Sequence, residues 1–274
     1  MSDQDIGFDT LKVFKWSEQG LIEHMRPIAR EVPLTIYLND HEVVTLLCLG
    51  DHLKSLAIGF LKSEGLISGL QNIKSVFVDE ADRLVRVEIE EETDLAEKLF
   101  MRRTLTSGCG KGTTFYNALD TLITEKIDSS LQISTDQVFH LMHRLAEASA
   151  LYKITGGVHN SALATVEDLV LFRTDIGRHN AVDKLYGECF LKNVFLEDKV
   201  LITTGRITSE ILIKTSRMGI PVLISRSAAT TMAVSLAQQV GVALIGYVRG
   251  KNLVVYTGRE RVIDSATESS KPQS

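Results

Sequence analysis

The chain has 274 residues, 44% of them apolar and 24% charged, with four prolines and a formal net charge of −5. This composition is that of a globular protein with length for one large domain or two ordinary ones. The negative balance removes an overall basic field, so neither nucleic acid nor an anionic membrane is expected as a partner, although a local anion site remains open. The N-terminal MSDQDIGFDTLKVF carries acids where a signal peptide would carry basic and then apolar residues, and no apolar run is long enough to span a bilayer. A cytoplasmic protein with no membrane partner is expected. Three widely spaced cysteines, Cys48, Cys109 and Cys189, argue for free thiols rather than a disulfide framework.

In chain order, residues 31–49 read as two β-rich runs around an Asn39–Asp40 turn. A helix should follow with Asp51 at its N-cap and Leu53, Leu56, Ala57, Phe60 and Leu61 on one face. IKSVFVDEADRLVRVEIE reads as a hairpin whose second half alternates Val85, Val87 and Ile89 with Arg86, Glu88 and Glu90. LAEKLFMRR is a helical stretch leading into TSGCGKG, and EKIDSSLQIS reads as a linker. Ser134 with Gln137 predicts a capping box on a helix running to about residue 152.

The second half alternates strand and helix. SALATVEDLVLFRT is a hairpin turning at Glu167–Asp168, AVDKLYGECFLKN a helix, VLITTG a strand and SEILIKTSRMG a helix. PVLIS is a strand, TMAVSLAQQVG a helix closed by Gly241, and VALIGYV and NLVVYTG are the last strands. Such alternation predicts a three-layer α/β domain with a mostly parallel sheet.

The chemistry candidates start at Cys109. Gly108, Gly110 and Gly112 let its loop present the thiol without neighbouring bulk, and Lys111 could stabilise a thiolate. The bland alternative is a glycine-rich turn that happens to hold a cysteine. Cys48 in VVTLLCL and Cys189 in LYGECFL sit in apolar settings suited to packing. The loop is no P-loop, because Gly112 follows Lys111 where Ser or Thr is required.

TDIGRHNAVDKL places Gly177 to Ala181 at a strand-to-helix turn, where amides and the helix dipole favour an anion. Arg178 adds a donor fork, His179 can donate or stack, and Asp175 or Asp183 could accept from a base or ribose. The structural alternative is that Asn180 caps the helix and Asp183 supplies its N-terminal charge. TGGVHNSAL adds His159, TTGRITSE adds Gly205 and Arg206, and SRSAATT and YVRGKN add hydroxyl and basic groups. Turns after strands of one sheet converge at its carboxyl edge, so these loops together suggest a pocket for a phosphate-rich nucleotide or cofactor. His140 and His143 lack a carboxylate pair to complete a metal site, and no H-x-E with a later P-C-x-x-C supports zinc deaminase chemistry. No resident metal is expected.

EVPLTIYLN, LAIGFLKSEGLI, TSGCGKG, GGVHNSAL, DIGRHNAVDK, TGRITSEILIKTSRMGIPVLISRSA and LIGYVRGKNLVVYTGRERV, in this order, resemble the formate dehydrogenase accessory sulfurtransferases (FdhD). The resemblance implies a sulfurtransferase, with sulfur taken from a cysteine desulfurase as a Cys109 persulfide. It is then passed to the molybdenum cofactor of formate dehydrogenase, in its bis(molybdopterin guanine dinucleotide) form, before insertion. It also implies a homodimer and a larger domain similar to the cytidine deaminase fold without its zinc. Tyr247, Val248, Arg249, Gly250, Lys251 and Asn252 match the family's cofactor-binding segment, and His159, Arg178, His179 and Arg206 its nucleotide-facing loops. Gly112 stands where the family often has a second cysteine, which favours a one-cysteine mechanism and keeps a noncatalytic cofactor-binding chaperone as the alternative. The expected organisation is a small α+β domain over 1–103, the cysteine loop and linker over 104–133, the α/β cofactor-binding domain over 134–264, and a disordered tail over 265–274.

Overall fold

The computed structural model describes residues 7–90 and 126–265. Cys109, Lys111, the helix expected over LAEKLFMRR and the tail beyond residue 265 lie outside the described residues.

The chain opens with a two-stranded ribbon, β1 (Phe8–Ser17) and β2 (Gly20–Ala29), paired in register along its whole length. Large apolar side chains project from it into solvent: Phe14 is 67% exposed, Trp16 70%, Leu21 70% and Met25 56%. A second hairpin, β3 (Val32–Leu38) and β4 (His41–Cys48), follows. Asn39 and Asp40 turn it with φ of 45° and 64°, the left-handed pair that matches strand twist in a two-residue turn. β5 (Ile73–Asp79) and β6 (Leu84–Ile89) complete a four-stranded sheet in the order β4-β3-β6-β5. The period-two pattern holds along β6, where Val85, Val87 and Ile89 are buried. α1 (Leu53–Ser63) covers the sheet with Leu56, Ala57, Ile58 and Leu61. Its N-cap is His52, in left-handed conformation at φ 50°, and not the expected Asp51. Asp51 is drawn instead to the Lys184 ammonium of the other domain.

The larger domain is built on a six-stranded sheet in the order β13-β12-β11-β10-β8-β9. Its strands are β8 (His159–Ala164), β9 (Leu169–Asp175), β10 (Val200–Thr203), β11 (Val222–Ser225), β12 (Ala243–Arg249) and β13 (Asn252–Thr257). A two-residue strand, β7 (Ile133–Ser134), pairs with β14 (Val262–Ile263) beside it. The expectation of a mostly parallel sheet is corrected. β10 to β12 are parallel, whereas β8–β10, β8–β9 and β12–β13 are antiparallel. The short β8–β9 and β12–β13 connections return the chain as hairpins, since a parallel crossover needs a dozen or more residues.

Helices cover both faces. α2 (Thr135–Ala148) carries the expected Ser134–Gln137 capping box but stops at Ala148, and a separate short α3 (Ala150–Thr155) follows. α2 packs Val138, Leu141 and Leu145 against Val200, Ile202, Val222 and Ile224. On the opposite face lie α4 (Arg178–Leu191), α5 (Ser209–Arg217) and α6 (Thr231–Val240), whose apolar residues meet Leu201, Leu223 and Leu244. This is why VLIT and VLIS are buried at every position: alternate side chains enter two different cores.

α1 and α4 cross at glycines, which joins the domains. A Cβ on Gly59 would stand 1.8 Å from the Asp183 carbonyl oxygen, and one on Gly187 1.9 Å from that of Ser55. Only hydrogen fits at either position, so the two backbones touch.

Candidate functional site

The antiparallel strands do not disperse the predicted loops. β8 starts, and β9 to β12 end, at the same edge of the sheet. His159 opposes Asp175 at one end of it, Thr203 opposes Ser161, and Arg249 opposes Asn252. Above that edge, under α2 and α3, lies a cavity of about 1390 Å³. Of the predicted residues, His159, Val248, Arg249, Gly250 and Lys251 line it; Arg178, His179, Arg206, Tyr247 and Asn252 do not. The wall also includes Arg226, Lys153, Phe139, Met142, Tyr152, His140 and His143.

The YVRGKN segment has unusual backbone. β12 shifts register between Gly246 and Arg249, and Tyr247 takes φ 52°, uncommon for an aromatic residue. The Tyr247 amide donates to the Ser227 carbonyl at 3.0 Å, and the Arg249 Nε donates to the Arg226 carbonyl at 3.1 Å. These bonds hold the bulge that carries Val248 to Lys251 onto the cavity wall. Strain of this kind collects at functional positions.

Lys153, Arg226, Arg249 and Lys251 pair with no carboxylate among the described residues. Phe139, Met142 and Tyr152 supply apolar and aromatic wall opposite. Four cations with flat apolar surface suit a ligand that combines phosphates with planar rings. The volume exceeds the roughly 300–1,000 Å³ usual for drug-sized ligands, so a large one fits.

Near His159 the remaining predicted residues lie outside the lining. His159 Nδ1 lies 3.4 Å from the Thr204 hydroxyl. Burial, with Arg178 and His179 close by, holds its imidazole below the usual histidine pKa. His179 Nε2 is 2.9 Å from Glu210, whose carboxyl is held below its usual range chiefly by that contact. Arg178 packs against Gly205, where a Cβ would come within 2.8 Å of it. Arg206 is exposed.

The acids and amide of DIGRHNAVDK do something else. Asn180 does not cap α4, whose N-cap is Gly177; its amide donates to the Leu47 carbonyl at 2.8 Å and to Asp175 at 2.9 Å. Asp183 is buried against the Lys214 ammonium at 2.5 Å, with Ser63 on the same ammonium at 2.8 Å. Burial pushes the Asp183 carboxyl up, and Lys214 opposes that. Neither Asp175 nor Asp183 faces the cavity, so the reading of them as acceptors for a base or ribose is corrected: an acid in the tertiary core is spent on its neighbour. Nor does Asp183 supply a free N-terminal charge.

Cys48 and Cys189 are buried, and burial pushes each thiol up to about 11. Both remain neutral near pH 7 and lack the thiolate that sulfur chemistry needs. Among the described residues no cluster of His, Cys, Asp and Glu could hold a metal ion, and no helix is long and apolar enough to cross a membrane.

Nothing in the sequence singles out Lys153, which stands one helical turn before GGVHN. The α2 residues were legible only as a helix. Their relation to the sheet edge comes from packing.

A three-layer domain with a basic cavity at its strand ends, joined to a small α+β domain, defines a two-domain α/β protein. Residues 29–263 match the FdhD/NarQ family, and the chain belongs to that family. Proteins named sulfur carrier protein FdhD are similar along most of its length. The one from Bacillus pumilus is 41% identical over 86% of this chain and 90% of its own, and that from Listeria monocytogenes serotype 4b is 43% identical over 86% and 91%. That of Bacillus subtilis is 41% identical over 89% and 94%. The crystal structure of a formate dehydrogenase accessory protein from Desulfotalea psychrophila shares the fold, with TM-score 0.76 and 24% identity over 93% of this chain and 99% of that one.

Proposed function

We propose that this protein is a sulfur carrier for formate dehydrogenase maturation. In this reading Cys109 accepts sulfur from a cysteine desulfurase as a persulfide, and the cavity holds the molybdenum cofactor that receives it. The observation that carries the reading is the cavity with four cations that lack carboxylate partners, large enough for a guanine dinucleotide form of the cofactor. Arg226, Arg249, Lys153 and Lys251 would bind phosphates, and Phe139 and Tyr152 would flank planar rings. Support for Cys109 comes by contrast: the other two thiols are buried and protonated. The relatives' shared name, sulfur carrier protein FdhD, supports the same assignment. The family resemblance also implies a homodimer. The β1–β2 ribbon supports it, because it forms its own two-stranded sheet and leaves Phe14, Trp16 and Leu21 exposed as apolar surface for a second copy.

The test is to incubate the protein with a cysteine desulfurase and L-cysteine and locate added sulfur by intact and peptide mass spectrometry. One sulfur atom on Cys109, absent from Cys109→Ala, is the expected result, with Cys48 and Cys189 unmodified. No sulfur on Cys109, while a known acceptor is loaded in parallel, would reduce the role to a noncatalytic cofactor chaperone.

A further inference from the structure

One carboxylate, that of Asp175, gathers four donors. It is fully buried at the end of β9. Its Oδ1 accepts the Gly177 amide at 3.0 Å and the Asn180 side chain at 2.9 Å; its Oδ2 accepts the Leu49 amide at 3.1 Å and lies 2.7 Å from Lys184 Nζ. Lys184, also without solvent exposure, donates to the Thr174 carbonyl at 3.0 Å and to Asp51. Asn180 reaches the Leu47 carbonyl. Three partners, Leu47, Leu49 and Asp51, belong to the small domain. The other contacts fall on the turn from Thr174 to Asn180, which contains the wall residue Ile176 and carries Arg178 and His179 beside His159. Thr174 extends the grip by donating to Asn160, another wall residue, at 2.7 Å.

We propose that Asp175, Asn180 and Lys184 are positioning residues that register the turn from Thr174 to His179, which contributes Ile176 to the cavity wall, against the small domain, so that the two form one rigid unit. A carboxylate saturated by two backbone amides, one side-chain amide and an ammonium has no capacity left for a ligand, and its geometry is fixed by partners from both domains. A nearby ionic pair serves as an internal contrast. Asp183 and Lys214 also bridge to the small domain, through Ser63, but touch nothing in the turn. Cohesion of the domains alone would make the two networks equivalent. Positioning makes them different.

The inference rests on the reading of the cavity as a nucleotide-cofactor site, and its test has one readout that does not. Wild type, Asn180→Ala and Lys214→Met are compared by thermal midpoint, by affinity for guanosine diphosphate, and by NMR titration of the His159 imidazole, whose pKa is lowered first by burial and then by the nearby Arg178 and His179. Asn180→Ala is expected to weaken nucleotide binding at least tenfold and to move the His159 titration toward the ordinary histidine value. Lys214→Met should lower the thermal midpoint at least as far, while affinity stays within twofold of wild type and the His159 titration does not move. If Asn180→Ala does not fold, Asp51→Asn, at the partly exposed end of the same network, should shift His159 in the same direction by less. An unchanged His159 in both network variants, or an equal shift in Lys214→Met, overturns the proposal. Failure of wild type to bind guanosine diphosphate would count against the cavity reading alone, since the His159 comparison still decides the positioning role.

Discussion

At the junction of the two domains, Lys184 and Lys214 are buried and each meets a carboxylate, whereas in the cavity Arg226, Arg249, Lys153 and Lys251 meet none among the described residues. The contrast follows from solvation. An ammonium removed from water costs several kcal/mol unless an anion compensates it, so every buried cation at the junction must be paired for the chain to fold. A cation facing an open cavity keeps its water and needs no partner until a ligand brings one. Pairing therefore separates charges that hold this protein together from charges available to bind.

Substitutions on the two sides should differ accordingly, with the largest effect on stability at the junction. Gly187→Val drives side-chain carbon into the Ser55 carbonyl, and neither backbone can retreat without parting the helices. We expect a loss of more than about 4 kcal/mol, seen as insoluble protein or a thermal midpoint lowered by roughly 10 °C or more. A variant with wild-type melting would show that α1 and α4 are not in backbone contact.

Lys251→Ala, which removes a cation on the cavity wall, should do the reverse. Removal of a charge-assisted phosphate contact costs about 1.5–3 kcal/mol of binding, so affinity for guanosine diphosphate, measured by calorimetry, should fall ten- to a hundredfold with the melting temperature within a few degrees of wild type. Equal losses of stability and affinity would erase the distinction between the two regions.

The ribbon is a third setting, apolar and exposed, and should matter least for the fold of one chain. If the proposed homodimer forms through the ribbon, Phe14→Ser combined with Trp16→Ser is expected to leave the thermal midpoint of dilute protein nearly unchanged while shifting sedimentation from dimer to monomer. A double variant that still sediments as a dimer would remove the ribbon from the interface.

Much of this architecture was legible from local pattern. The period-two run in β6, the Asn39–Asp40 turn, the Ser134–Gln137 capping box and the left-handed Gly241 closing α6 each depend on residues within a few positions of one another. So does the strand-to-helix turn at Gly177, with α4 starting at Arg178. The loops expected to converge do reach one sheet edge, although the sheet is mixed, because a hairpin brings the start of one strand beside the end of the next. What local pattern left open was how each charged side chain is used. Within DIGRHNAVDK nothing in the spacing separates Arg178 and His179, beside the cavity, from Asp175, Asn180 and Lys184, turned into the junction.

By itself, then, the sequence determined most of the elements from β3 onward and their order, though not the β1–β2 ribbon, because backbone propensity and hydrophobic period act over a few residues. The tertiary structure alone decided that Asp51 leaves the α1 cap for Lys184, that Asn180 bonds Leu47 rather than its own helix, and that Lys153 and Phe139 share a cavity with Arg249. Each of those pairings joins residues tens of positions apart or more. Which partner a charge finds at that range is settled by packing, since only burial makes the choice costly enough to be unique.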